Sequence, residues 1–177
     1  MQQFWRVLIG SVICWSPAFA EPVRYTFVWP GEGGYLMRGA LAFDTGAARD
    51  GIIAADAVDC FVIEGFRGRQ RVGRWALSML TEQTTWTLAF DVEAEAFVVF
   101  GGGDPMPQAW NMDGGGFNCG MGGFGFNIGN AAQDLCADGQ LLFDSQVDPA
   151  RPFPATEAPD YQFPADACHG PTLISRL

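Results

Sequence analysis

Lysine is absent from this chain, and histidine occurs once, at His169. The positive charge is therefore carried by arginine alone, ten residues against twenty carboxylates, for a formal net charge of −10. An acidic, lysine-free surface repels phosphate backbones, because affinity for nucleic acid comes largely from cations that displace condensed counterions. It also argues against adhesion to anionic lipid. Catalytic equipment is equally sparse. There is no G-x-S-x-G and no H-E-x-x-H, and a serine or cysteine nucleophile would lack an evident base. The longest apolar run, residues 7–15, falls short of the roughly 20 residues that a spanning helix needs, so no stable membrane insertion is expected once it is removed. No segment carries a 3.6-residue apolar period of useful length, so helix should be scarce.

What is present begins with an export leader over residues 1–20. Arg6 supplies the positive start, residues 7–15 the short apolar stretch, and Ala18-Phe19-Ala20 before Glu21 the small-x-small cleavage site. Cys14 follows Ile13, where lipid attachment wants a small residue. The remaining chain suits one domain, an all-β body over residues 21–146 with a proline-rich extended tail over residues 147–177 packed on it. Its four cysteines, Cys60, Cys119, Cys136 and Cys168, suggest two disulfides in a periplasmic or secreted protein. Four cysteines allow three pairings. The favoured one is Cys119–Cys136, closing a short loop, with Cys60–Cys168 pinning the tail. Zinc is the alternative, but no C-x-x-C and no histidine at ligand spacing supports it.

Residues 86–100 read as a β-hairpin, with Trp86, Leu88 and Phe90 on one face, a charged turn at residues 91–95, and a returning apolar run. Its first arm recurs, since strands ending on Phe-Asp appear at Phe43-Asp44, Phe90-Asp91 and Phe143-Asp144. The hairpin is expected to be the central pair of a sheet. Short β runs separated by Gly, Pro and Asp turns point to an antiparallel β-sandwich or partly open β-barrel. A long glycine-rich loop, with eight glycines in residues 114–129, interrupts it. That loop lacks the phosphate-cradle pattern, and no cofactor is implied. As the most irregular exposed segment, residues 101–130 are expected to carry the functional surface.

Four constellations carry candidate chemistry. Asp91, Glu93 and Glu95, spaced by two, could form a carboxylate pair for glycosidic hydrolysis, although a solvated hairpin tip is the simpler explanation and the favoured one. Asp44, Asp50, Asp104, Asp113, Asp138 and Asp148 could staple loops through calcium, as in an adhesive domain, or serve as turn formers. Arg67, Arg69 and Arg71 share one side if that segment is extended. They could fork onto a carboxylated polymer, or pair internally and guard a sheet edge. Trp110, in a stretch between Pro107 and Gly114 that reads as a loop, has Asn111 and Asp113 beside it. An exposed tryptophan flanked by amide and carboxylate suits sugar stacking, while the plainer reading is a loop anchor that plugs the edge of the core.

At the Phe-Asp turns and at residues 50–58 leading into Phe61, the chain resembles small exported bacterial β-rich domains, some of which carry PEP-CTERM sorting signals; the likeness covers roughly residues 23–100. The resemblance implies a β fold and no site residues. Ile174-Ser175-Arg176-Leu177 departs from the PEP-CTERM pattern, having neither apolar anchor nor basic tail. The expected function is an exported, non-enzymatic binding or structural domain whose partner is a polysaccharide or another exported protein.

Overall fold

The computed structural model describes residues 22–168. The leader expected over residues 1–20, His169 and the last residues of the tail lie outside that span. In chain order the strands are β1 (Val23–Pro30), β2 (Tyr35–Phe43), β3 (Ile52–Ala54), β4 (Val58–Arg67), β5 (Gln70–Ala76), β6 (Thr85–Thr87), β7 (Ala89–Asp91), β8 (Ala96–Phe97), β9 (Gln108–Met112), β10 (Phe124–Ile128), β11 (Gln133–Ala137), β12 (Gln140–Leu141) and β13 (Phe153–Glu157). Helical structure among the described residues is limited to single 3-10 turns. The class is all-β, as the sequence suggests.

The strands form a curled antiparallel sheet of eight, in the order β3-β7-β8-β13-β1-β2-β4-β5, and a sheet of five, β12-β11-β10-β9-β6. Period-two patterning sets their inner faces. Tyr25, Phe27 and Trp29 of β1, Met37 and Leu41 of β2, and Phe61 and Ile63 of β4 are buried together, while their neighbours face outward. The small sheet closes the core with Trp110, Phe124, Phe126 and Leu135. The Trp110 ring lies 4.8 Å from both Phe61 and Phe126 and 5.0 Å from Phe97. Each such buried side chain stabilises the fold by about 1.5–3 kcal/mol, and each well-placed aromatic pair adds about 0.5–1.5 kcal/mol. Gly65 and Gly73, paired across β4 and β5, let the sheets meet. A Cβ at either would stand 2.3 Å from the Phe124 ring.

Each sheet's outer face is strapped by an irregular segment held by a disulfide. Cys60–Cys168 pins residues 158–168 across the large sheet, and Cys119–Cys136 pins residues 113–123 across the small one. Both bridges follow the favoured pairing.

The 86–100 hairpin is not a central pair. The chain changes sheets at Leu88, so that β6 borders β9 at the edge of the small sheet while β7 and β8 lie toward one side of the large one. Asp91 makes the tip, its Oδ1 accepting the backbone N–H of Glu93 at 3.0 Å and of Ala94 at 2.9 Å. Of the three Phe-Asp copies, Phe43 and Phe90 meet in the core at 5.5 Å, whereas Phe143 opens a 3-10 turn and is 69% exposed. The proline-rich tail enters the fold more deeply than a surface strap. Its β13 lies between β8 and β1, burying Phe153. Pro154 is tolerated there because pairing with β1 begins only at Ala155.

Candidate functional site

The glycine-rich segment is fixed by its own polar side chains. Asp113 accepts the N–H groups of Gly115 (3.1 Å) and Phe117 (2.8 Å), Asn118 that of Gly120 (2.7 Å), and Asp138 that of Gly122 (2.7 Å). Glycine is required at Gly123, where a Cβ would stand 1.9 Å from the Cys119 carbonyl oxygen. So folded, the loop buries Ala109, Met112, Cys119 and Cys136 beneath it with Met106. Beyond its edge it leaves a groove of about 380 Å³.

The groove floor is polar. Asn127 of β10 and Asp134 of β11 stand opposite each other and both are buried. The Asn127 amide donates to the Asp134 carboxylate and to the Gly116 carbonyl, and Gln146 donates to the other Asp134 oxygen at 3.0 Å. One carboxylate thereby ties the glycine loop to the turn at residues 143–146. Burial pushes the Asp134 carboxyl up to about 6, against the opposing effect of the Gln146 bond. The walls are apolar. Phe117 and Phe143, 71% and 69% exposed, line the groove together with Met106 and Leu141. An exposed ring beside buried amides can take a ligand that has both an apolar face and hydroxyl groups.

Trp110 does not form an exposed platform. It lies in β9, paired on both sides by β6 and β10, and has no exposure. Its Nε1 donates to Gln108 Oε1 at 3.1 Å. Pro107 and Gly114 bound this strand instead of marking a loop. Asn111, at φ 55°, is buried and donates to the Phe124 carbonyl, so it holds the ladder rather than a ligand. Asp113 is the loop's turn former. The structure therefore does not bring Trp110, Asn111 and Asp113 together on one surface.

The arginines do not share a side either, because the β4–β5 turn falls between them. Arg67 lies over the Tyr35 ring at 4.9 Å and reaches Asp144 at 3.5 Å, Arg71 pairs with Glu64 at 3.1 Å, and Arg69 is exposed at the turn. Among the loop carboxylates, Asp44, Asp104, Asp113, Asp138 and Asp148 each accept a backbone N–H, and Asp50 sits at φ 51°. Among the described residues no three His, Cys, Asp or Glu side chains converge to hold a metal ion. Phe143, Asn127, Asp134 and Gln146 went unnoticed in the sequence as site residues. A polar residue within each of two short, fully or almost fully buried strands, Asn127 in FGFNI and Asp134 in QDLCA, was the signal available.

No protein-family model, no curated protein and no solved structure matches this chain. Among the described residues, no helix is long and apolar enough to cross a membrane.

Proposed function

We propose that this protein is an exported, non-catalytic binding module, periplasmic or secreted, whose groove lined by Phe117 and Phe143 takes a neutral polysaccharide. The observation that carries this reading is the pairing of two exposed phenylalanine rings with a floor and rim of Asn127, Asn130, Asp134 and Gln146. Sugar rings offer apolar faces for the first and hydroxyls for the second. Two disulfides suit an oxidising compartment. The hydrolase alternative has less support. Glu93 and Glu95 project from an exposed hairpin tip, Asp91 is engaged by backbone amides, and among the described residues Asp134 has no second carboxylate beside it in the groove.

Affinity electrophoresis through gels cast with neutral polysaccharides (a cellulose derivative, xylan, starch) tests this. Retarded migration in at least one gel, lost in Phe117→Ala/Phe143→Ala while the circular dichroism spectrum is kept, is the expected result. Equal migration of the wild type with and without every polymer overturns it.

A further inference from the structure

The outer face of the large sheet holds a second concavity, unrelated to the glycine loop. Val28, Arg38, Glu64 and Arg74 stand opposite one another across β1, β2, β4 and β5, forming one transverse row. The next row, Thr26, Ala40, Val62 and Ala76, is small or apolar, and its last three members are roofed by Ala167 with Tyr161 and Phe163 of the strap. Between strap and charged row lies a groove of about 340 Å³, lined by Thr26, Val28, Arg38, Val62, Tyr161 and Pro164 among others.

The strap already shows what this row binds. Its Asp166 carboxylate grips Arg74 through two bonds of 2.6 Å, and Glu64 is taken by Arg71. Arg38 enters no ion pair among the described residues. Its guanidinium rests over the Phe66 ring at 5.5 Å, which leaves its fork for an anion. Three arginines (38, 71, 74) face two carboxylates (Glu64, Asp166) here, a local positive excess on an acidic protein. Apart from the Thr26 and Tyr161 hydroxyls the rest of the lining is apolar, including Val28, which is 53% exposed. Burial beside Glu64 raises the Tyr161 phenol above its ordinary value, keeping it a hydrogen-bond donor.

We propose that this groove is a second ligand site, for a small molecule that joins one carboxylate to an apolar body, with Arg38 as the anion anchor and Val28, Val62, Tyr161 and Pro164 holding the body. A volume of this order fits a small-molecule site.

The probe is 3-phenylpropanoate, with its uncharged amide as the neutral counterpart, titrated into the full chain and followed by backbone amide NMR shifts. Saturable shifts at Thr26, Arg38 and Tyr161 are expected. The amide and the Arg38→Gln variant should each bind about tenfold more weakly or worse, as loss of a charge-assisted bond dictates. Arg49→Gln makes the same charge change at an exposed site, where Arg49 pairs with Asp56, and should leave the affinity unchanged. A thermal melt of Arg38→Gln matching wild type establishes that it is folded. Equal binding of acid and amide, wild-type affinity in Arg38→Gln, or no saturable shift at these residues overturns the proposal.

Discussion

The two straps solve one problem with opposite chain chemistry. Residues 158–168 carry Pro159 and Pro164 and no glycine, whereas residues 113–123 carry six glycines and no proline. Proline arrives with φ already restricted, and glycine loses the most freedom on ordering. The tail strap is accordingly held by contacts to the sheet beneath it rather than by turn-forming side chains of its own, among them the Arg74–Asp166 fork, the bond from Arg24 Nη1 to Pro159 O, and the backbone bonds Ala158 N to Arg24 O, Phe61 N to Ala167 O and Ser78 N to Asp166 O. The glycine strap needs a carboxylate or amide at nearly every turn. Order there is bought residue by residue, which leaves its edges irregular enough to open a groove with aromatic walls. The tail strap leaves a groove of similar size whose character comes from the sheet's own charged row.

The strongest way to break this comparison is to cut the bridges. Cys60–Cys168 spans 108 residues and Cys119–Cys136 spans 17. The chain-entropy model gives about 4–5 kcal/mol for the longer loop and about 3 kcal/mol for the shorter. Cys60→Ser/Cys168→Ser should therefore lower the guanidinium unfolding midpoint more than Cys119→Ser/Cys136→Ser. Hydrogen exchange should reverse the order locally. Amides of residues 113–123 should exchange faster after loss of their own bridge than residues 158–168 do after loss of theirs, because proline restricts the tail strap while glycine leaves the other loose. Equal local effects would mean that composition does not distinguish the straps.

Next in size is a pH effect confined to the small sheet. Asp134 has a folded pKa of about 6 against 3.8 ordinarily. The folded state thus holds the proton more tightly, and its contribution is fully present below about pH 4 and lost as pH rises through about 6, a change of about 3 kcal/mol. Asp134→Asn should flatten stability between those pH values in chemical denaturation. A profile with the wild-type slope would place the raised titration elsewhere.

Much of the large sheet was legible because period-two runs such as Tyr25, Phe27 and Trp29 need only one buried face, and local alternation reports that. The disulfides were legible through exported-protein logic, and the aspartates through turn chemistry. The candidate groove was not. Asn127 meets Asp134 only through the β10–β11 register, and Phe143 is exposed only because its Phe-Asp copy opens a 3-10 turn instead of ending a strand. The strand around Trp110 was not legible because five residues buried on both faces show no alternation, which leaves Pro107 and Gly114 as the strongest local signals. The chain's change of sheet at Leu88 leaves no mark in a continuous apolar pattern either.

The smallest expected effect sharpens the contrast most. Asp166 is held below the ordinary carboxylate range, chiefly by its hydrogen bonds from Arg74. Its sign is the reverse of Asp134's. The stabilisation is present above the unfolded pKa and disappears as pH falls through the lower folded one, so the tail strap loosens only in acid. Asp166 is about half exposed, 46% at the side chain, so solvent screening holds the pair's worth to about 1 kcal/mol or less. Global melting would barely register that, but exchange at the Phe61 and Ser78 amides, whose acceptors lie in the strap, would. Asp166→Asn at pH 7 should speed exchange at both and leave Asn127 and Leu135 unchanged, whereas acidification below about pH 4 should loosen the wild-type tail strap while Asp134 holds the other sheet at its most stable. Loosening of both faces together in acid would show the straps to be coupled through the core.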